Sequence, residues 1–202
     1  MLRRPVSGYT AGMSYLCGID EAGRGPIAGP VTAAAVSFLD AAPLPQLRDS
    51  KQLTAAQRAE IECLIRQDYA FGIGWCWPAE IDRLNIHHAT LLAMQRAYRS
   101  LARRAQPHGS APFSSALIDG RFAPALPIPA HAVVGGDRTH PEIQAASILA
   151  KTARDRFMCA YAALDRRYGF ERHKGYPTAR HYHILEQLGS CLLHRRSFRG
   201  VS

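Results

Sequence analysis

The chain has 202 residues, 25 Lys+Arg against 16 Asp+Glu for a formal charge of +9, and 47% hydrophobic residues. That apolar fraction suits a packed core and argues against general disorder, and no apolar run approaches the roughly 18 residues of a membrane span. Neither a long apolar N-terminal segment nor a C-x-x-C pair among Cys17, Cys63, Cys76, Cys159 and Cys191 is present, so an unexported, cytoplasmic protein without a disulfide framework is expected.

In chain order, Tyr15 to Ile19 and Val31 to Leu39 are short apolar runs that read as strands joined by a glycine-rich turn. Thr54 followed three residues later by Gln57 is a capping-box pattern that opens a helix running to about Asp68. Tyr69 to Trp77 alternates like a strand, with Trp75 and Trp77 read as structural, and Asn85 to about Arg104 carries apolar residues at helical spacing. Ala116 to Ile118 and Ala132 to Val134 are brief strands, Pro141 to Tyr168 is helical by composition, and a last helix spans about Thr178 to Leu188 with Gly189 placed to stop it. The prediction is one α/β domain, a core over 1–165 with a basic helical segment over 166–202 packed on it. From Arg166 onward eight cations face two acids, so six of the nine surplus charges lie there. Only three of the 25 cations are lysines, and the arginine excess favours bidentate contacts to phosphate. An anionic partner, nucleic acid first, is the reading that charge supports, although an ordinary solvated basic surface has the same composition.

Chemistry concentrates in the segment from Gly18 to Pro30. Asp20 and Glu21 close a strand just before a turn built on Gly23, Gly25 and Gly29, and two further acids, Asp119 and Asp137, stand at the ends of later strands. Four converging carboxylates would repel one another by on the order of 4 kcal/mol per pair at 4 Å, and a hard divalent cation such as Mg²⁺ or Mn²⁺ resolves that conflict. Two such ions would suit phosphodiester cleavage. Taken singly, each acid equally suits a turn or a helix cap, and spacing alone does not decide. The same glycines fit a loose dinucleotide-binding pattern, but the following segment reads as a strand where that motif requires a helix. His87, His88, His181 and His183 lie in helical segments, where neighbours two apart diverge, so they read as surface or packing residues rather than a zinc site.

The blocks GIDEAGRGPIAGPV, DSKQL, LIDG, PEIQAASILAKTARD, HKGYPT and HRRSF closely resemble, in order, the motifs of the bacterial type 2 ribonuclease H family, ribonuclease HII, and the likeness covers nearly the whole chain. The resemblance implies a ribonuclease-H-like fold, a five-stranded mixed sheet flanked by helices, and a site of four acids with two Mg²⁺ or Mn²⁺ ions. The family's acids fall on Asp20, Glu21, Asp119 and Asp137, with Asp155 as a competitor for the fourth place that is expected instead to support the helix or pair with a neighbouring arginine. The implied reaction cuts on the 5′ side of a ribonucleotide, leaving a 3′-hydroxyl and a 5′-phosphate, in RNA–DNA hybrids and at single ribonucleotides in duplex DNA. Gly23 and Gly25 would let backbone groups approach the 2′-hydroxyl, with Arg24 on the adjacent phosphate. Tyr176 falls on the aromatic that packs on the following deoxyribose. Lys51, Lys151, Lys174, Arg195 and Arg196 are expected phosphate contacts. Arg121 stands where the family usually has Asn, and Gly135 where a lysine often stands, both departures near the site. A monomer is expected, with neither a clamp-binding extension nor an additional N-terminal domain. The rival reading is a catalytically inactive nucleic-acid-binding protein that uses the basic C-terminal surface.

Overall fold

The computed structural model describes residues 15–39, 41–49, 53–105 and 113–201. Strands β1 (Tyr15–Ala22) and β2 (Val31–Ser37) form an antiparallel pair, and β3 (Ala70–Cys76) extends it on the far side of β2. On the other edge of β1, β4 (Phe113–Asp119) and then β5 (Ala130–Val133) add in parallel, which gives a mixed sheet of order β3-β2-β1-β4-β5. This is the five-stranded mixed sheet expected from the sequence.

Side-chain alternation explains how helices cover both faces. Cys17, Ile19, Val31, Ala33 and Ala35 join Ala89, Ala93, Ala97 and Leu101 of helix α2 (Pro78–Ala105) in one core. Ala34 and Val36 point the other way, into a core with Ile61 and Ile65 of α1 (Ala55–Asp68) and Ala145, Ile148 and Leu149 of α3 (Pro141–Leu164). The small residues of β2 let both helices approach closely. A Cβ on Gly74 would stand 2.1 Å from the Ala93 carbonyl oxygen, and one on Gly18 would stand 2.3 Å from the backbone of Glu142.

One helix start matches its local signal, and two helix boundaries differ from the expectation. The Thr54 capping box is formed in both directions, Thr54 N–H to Gln57 and Gln57 N–H to Thr54. The helix expected from Asn85 begins seven residues earlier at Pro78, where proline sits at the first turn and Glu80 accepts the Trp77 N–H. Asn85 is a break inside it, with φ 65° and its side chain accepting the N–H groups of His87 and His88, so it restarts the helix as a cap. The helix expected to reach Tyr168 stops at Leu164. Tyr168 is drawn instead into a third core with Phe170, Met158 and Leu193, and its hydroxyl donates to the Gly189 carbonyl.

That third core seats the C-terminal part. Helices α4 (Phe170–His173) and α5 (Ala179–Leu188) and the segment after them pack on Ile27, Ala28, Met158 and Ala162. Ala28 and His194 form an antiparallel bridge, with Gly29 N–H donating to Leu193 at 2.7 Å and Arg195 N–H to Ile27 at 2.9 Å. The chain's last stretch is thereby bonded to the glycine turn that follows β1. Among the described residues, no helix is long and apolar enough to cross a membrane.

Candidate active site

Parallel pairing of β1 with β4 sets the site. Ile19 lies opposite Ile118, so the next residues, Asp20 and Asp119, emerge side by side where β4 ends and its pairing with β1 stops. Beyond β5 the chain turns at Gly135, left-handed at φ 70°, into a single 3-10 turn, Gly136–Arg138. Asp137 therefore does not end a strand, as its sequence context suggested. It sits in that turn, where its backbone N–H donates to Asp119 Oδ1 at 3.3 Å.

Alternation sends the adjacent pair Asp20 and Glu21 to different surroundings. Asp20 is buried on the α3 side and accepts the Glu21 N–H at 2.7 Å and the Ser147 hydroxyl. Glu21 opens with Asp119, Arg24, Arg121 and Phe122 onto a shallow depression whose far wall includes His87 and Met94 of α2. Burial first, then Glu21 and Asp119, hold the Asp20 carboxyl well above the usual carboxylate range, against the lowering pull of Ser147. Glu21 is raised by burial and by Asp119, while Arg24, 3.4 Å from its carboxylate, pulls it down. Ser147 carried no signal in the sequence as a partner of Asp20; its place on α3, opposite the strand end, is a tertiary fact.

Asp20, Glu21 and Asp119 are oxygen donors held close where β4 ends beside β1, with repulsion that Arg24 and Ser147 relieve only in part, which is the chemistry that fits a hard divalent cation. Among the described residues, no three His, Cys, Asp or Glu side chains already form a ready-made ligand set. Glu21 leans on Arg24, and Asp119 accepts an amide, so an ion would have to draw the carboxylates inward. Asp155 stands apart from this group and pairs with Lys151 at 2.9 Å, a lysine rather than the expected arginine.

The glycine turn is built from behind by two buried arginines. Arg195 Nε, Nη1 and Nη2 donate to the carbonyls of Gly29, Arg24 and Gly23 at 2.8, 3.0 and 2.6 Å. Arg154 donates likewise to Pro30, Lys174 and Ala28, each at 2.9 Å. Arg195 was expected on a phosphate. It is fully buried with its guanidinium facing carbonyl oxygens, which corrects that expectation; burial and neighbouring Arg154 push its pKa down. In a trans peptide the C=O and the following N–H point in opposite directions. With the Gly23 and Arg24 carbonyls turned inward to Arg195, the N–H groups of Arg24 and Gly25 are turned outward.

The two glycines differ in role. Gly23 is buried at φ 91°, and a Cβ there would stand 2.1 Å from Arg154 Nε, so its missing side chain makes room inside the protein rather than for a ligand. Gly25 is exposed, and a Cβ would meet nothing nearer than the Tyr176 ring at 3.9 Å. Tyr176 is 41% exposed beside it, with Lys151 Nζ 5.7 Å and Arg154 Cζ 6.0 Å from its ring centre. Lys174 is partly exposed and bonds the Glu171 carbonyl, while Arg196 keeps an exposed side chain and donates its backbone N–H to Asp82 at 3.0 Å. Lys51 lies outside the described residues. Trp75 and Trp77 stack 5.9 Å apart against Phe157, on the β3 edge.

The family model described as ribonuclease HII matches residues 17–201. Ribonuclease HII of Polynucleobacter necessarius subsp. necessarius (strain STIR1) is 47% identical over 188 residues, 93% of this chain and 93% of that protein. Ribonuclease HII of Halorhodospira halophila (strain DSM 244 / SL1) is 50% identical over 186 residues, 91% of each. In solved structures, the ribonuclease H2 from Pyrococcus horikoshii OT3 is similar in fold, with a TM-score of 0.68 at 21% identity over 93% of this chain and 95% of that one.

Proposed function

The chain belongs to the ribonuclease HII family of type 2 ribonucleases H, endonucleases of RNA–DNA hybrids, and from that premise we propose that it also nicks duplex DNA on the 5′ side of a single embedded ribonucleotide. Asp20, Glu21, Asp119 and Asp137 would hold two divalent ions, Mg²⁺ or Mn²⁺, and the single observation that carries this is the β1–β4 register that sets buried Asp20 beside Asp119, with Glu21 next in the chain. Bound there, the metal supplies Lewis-acid polarisation of the scissile phosphate and an acidified water. The chain's own groups do the rest. Ser147 fixes one oxygen of Asp20. Arg24, exposed beside Glu21, is placed to take a phosphate oxygen, with Lys174 and Arg196 gripping the backbone further along.

Selectivity for a ribonucleotide rests on the 2′-hydroxyl, the one group that marks RNA. The outward N–H groups of Arg24 and Gly25 are donors for it, and exposed Gly25 leaves room for close approach. Tyr176, next to Gly25, is placed to cover the sugar of the next nucleotide, where a deoxyribose fits flush and a second 2′-hydroxyl would not. Products carry a 3′-hydroxyl and a 5′-phosphate.

A labelled DNA duplex with one ribonucleotide, incubated with Mg²⁺ or Mn²⁺ and with chelator, tests this directly. A metal-dependent nick on the 5′ side is expected; a chain that binds the duplex and never cuts it would instead be the inactive binding protein. Gly25→Ala is expected to leave stability within about 0.5 kcal/mol while lowering cleavage about tenfold or more, since the added methyl meets substrate and not protein. Gly23→Ala is expected to cost about 2 to 4 kcal/mol of stability, because its methyl meets Arg154 and its φ is left-handed. Unfolding midpoints and cleavage rates measured side by side distinguish the two. Tyr176→Ala should reduce nicking at single ribonucleotides more than cutting of a uniform hybrid; equal losses would make the ring a packing residue only.

A further inference from the structure

Three histidines, His173, His181 and His194, are gathered behind the Tyr176 loop, away from the acidic site. His181 and His194 are buried, and the rings of Tyr168 and Phe170 close over them. His173 stacks on His181 with 4.2 Å between ring centres.

The hydrogen bonds fix which nitrogen of each ring carries its proton. Cys191 N–H can only donate, so His194 Nδ1, 2.9 Å away, accepts. The Tyr176 carbonyl can only accept, so His181 Nδ1, also at 2.9 Å, donates. The two Nε2 atoms face each other at 3.0 Å, and neutral rings leave one arrangement: His194 Nε2–H donates to bare His181 Nε2. A one-way chain results, from the Cys191 amide through His194 and His181 to the carbonyl of Tyr176. His173 is fixed in the same manner, accepting Gly175 N–H on Nδ1 at 3.1 Å and placing Nε2 on the Tyr168 carbonyl at 2.9 Å. Burial pushes His181 and His194 each down to about 4; His173 lowers both and His181 lowers His194, against the Tyr176 carbonyl at His181 and Cys191 and Asp165 at His194, so both are neutral at neutral pH.

The loop needs such support. Lys174 at φ 52° and Gly175 at φ 85° are consecutive left-handed residues, a conformation a free loop would leave. Gly175 in turn accepts Ile27 N–H and Ala28 N–H at 2.9 and 3.3 Å, which ties the loop to the glycine turn.

We infer that His181 and His194 are positioning residues for substrate selection: their imidazole relay sets the backbone of Tyr176, and with it the placement of the ring against the nucleotide following the ribonucleotide. The inference rests on the reading of Tyr176 as the selecting ring. Neither histidine reaches the acids, so the relay acts on which substrate is accepted and leaves the chemical step to other groups.

His194→Phe keeps an aromatic ring among Tyr168 and Phe170 and removes both relay bonds, while His194→Gln keeps a donor at the place of Nε2. Each is compared with wild type and with Tyr176→Ala by unfolding midpoint, by the rate ratio of single-ribonucleotide nicking to hybrid cutting in Mg²⁺, and by amide exchange over 173–178. For His194→Phe the ratio is expected to fall about tenfold, the equivalent of one hydrogen bond, with faster exchange in the loop and hybrid cutting changed little. His194→Gln is expected to recover most of the ratio and the protection even if both variants melt earlier. A ratio that falls in Tyr176→Ala and stays at wild type in folded His194→Phe overturns the relay, as does a glutamine variant no better than phenylalanine. If Tyr176→Ala leaves the ratio unchanged, the reading of Tyr176 fails. The relay is then decided by exchange alone: loop protection lost in phenylalanine and regained in glutamine upholds it, and any other pattern overturns it.

Discussion

Asp20→Asn is expected to lower hydrolysis of an RNA–DNA hybrid by about a thousandfold or more, while binding of the duplex is kept. The asparagine retains the shape and an acceptor oxygen for the Glu21 N–H, and its NH2 can donate to the Ser147 hydroxyl, so the expected loss is one of charge and not of fold. A second, opposite effect accompanies it. Because the folded pKa of Asp20 is raised above its ordinary value, the carboxylate costs stability once the pH rises through that folded value. At neutral pH in chelator the substitution therefore raises the unfolding midpoint, and saturating Mg²⁺ or Mn²⁺ raises that of the wild type. Cleavage time courses and melting curves, each with and without chelator, check both halves. Wild-type turnover in the variant would remove Asp20 from the catalytic set.

Arg195→Met is expected to cost about 3 to 5 kcal/mol, since it leaves the carbonyls of Gly23, Arg24 and Gly29 without their donor in a buried setting. In a chain of this size that corresponds to a fall of roughly 10 °C in the unfolding midpoint. Activity is expected to fall below what stability explains, measured well beneath the midpoint, because the Arg24 and Gly25 amides lose their outward orientation. Arg196→Met supplies the contrast. Its side chain is exposed, so the fold should be unaffected and the change should appear as weaker, less salt-dependent binding of duplex. Equal effects at 195 and 196 would contradict the inward and outward assignment.

The pair Arg195 and Arg196 also marks the boundary of what sequence made legible. Both are cations in a basic stretch, and a phosphate role for both follows from composition. What separates them is the bridge between Ala28 and His194, a contact across 166 positions of chain that no local pattern encodes. Asp20, Glu21 and Asp119 were readable because a strand ending in an acid before glycine is a local feature, and the β1–β4 register then brings the ends together. Asp137 was readable as an acid near the site but not as part of a 3-10 turn, since the left-handed Gly135 ends β5 early. The start of α2 at Pro78 had a signal, proline in the first turn with Glu80 two residues on, that the break at Asn85 concealed. The end of α3 had none, because Tyr168 leaves the helix for the third core. Of the histidine relay, His181 was legible only as a surface or packing residue and His194 only as a letter of the HRRSF block.

The separations in the glycine turn bear on when the enzyme becomes one. Its carbonyls at Gly23 and Arg24 are held by a guanidinium 172 and 171 positions later, and those at Ala28 and Pro30 by one 126 and 124 later. Synthesis delivers the four acids well before Arg195, and contacts of such long reach close late in folding. A growing chain therefore carries Asp20, Glu21, Asp119 and Asp137 before the arginine that ties down the glycine turn, and that turn is completed only once residue 195 has been made.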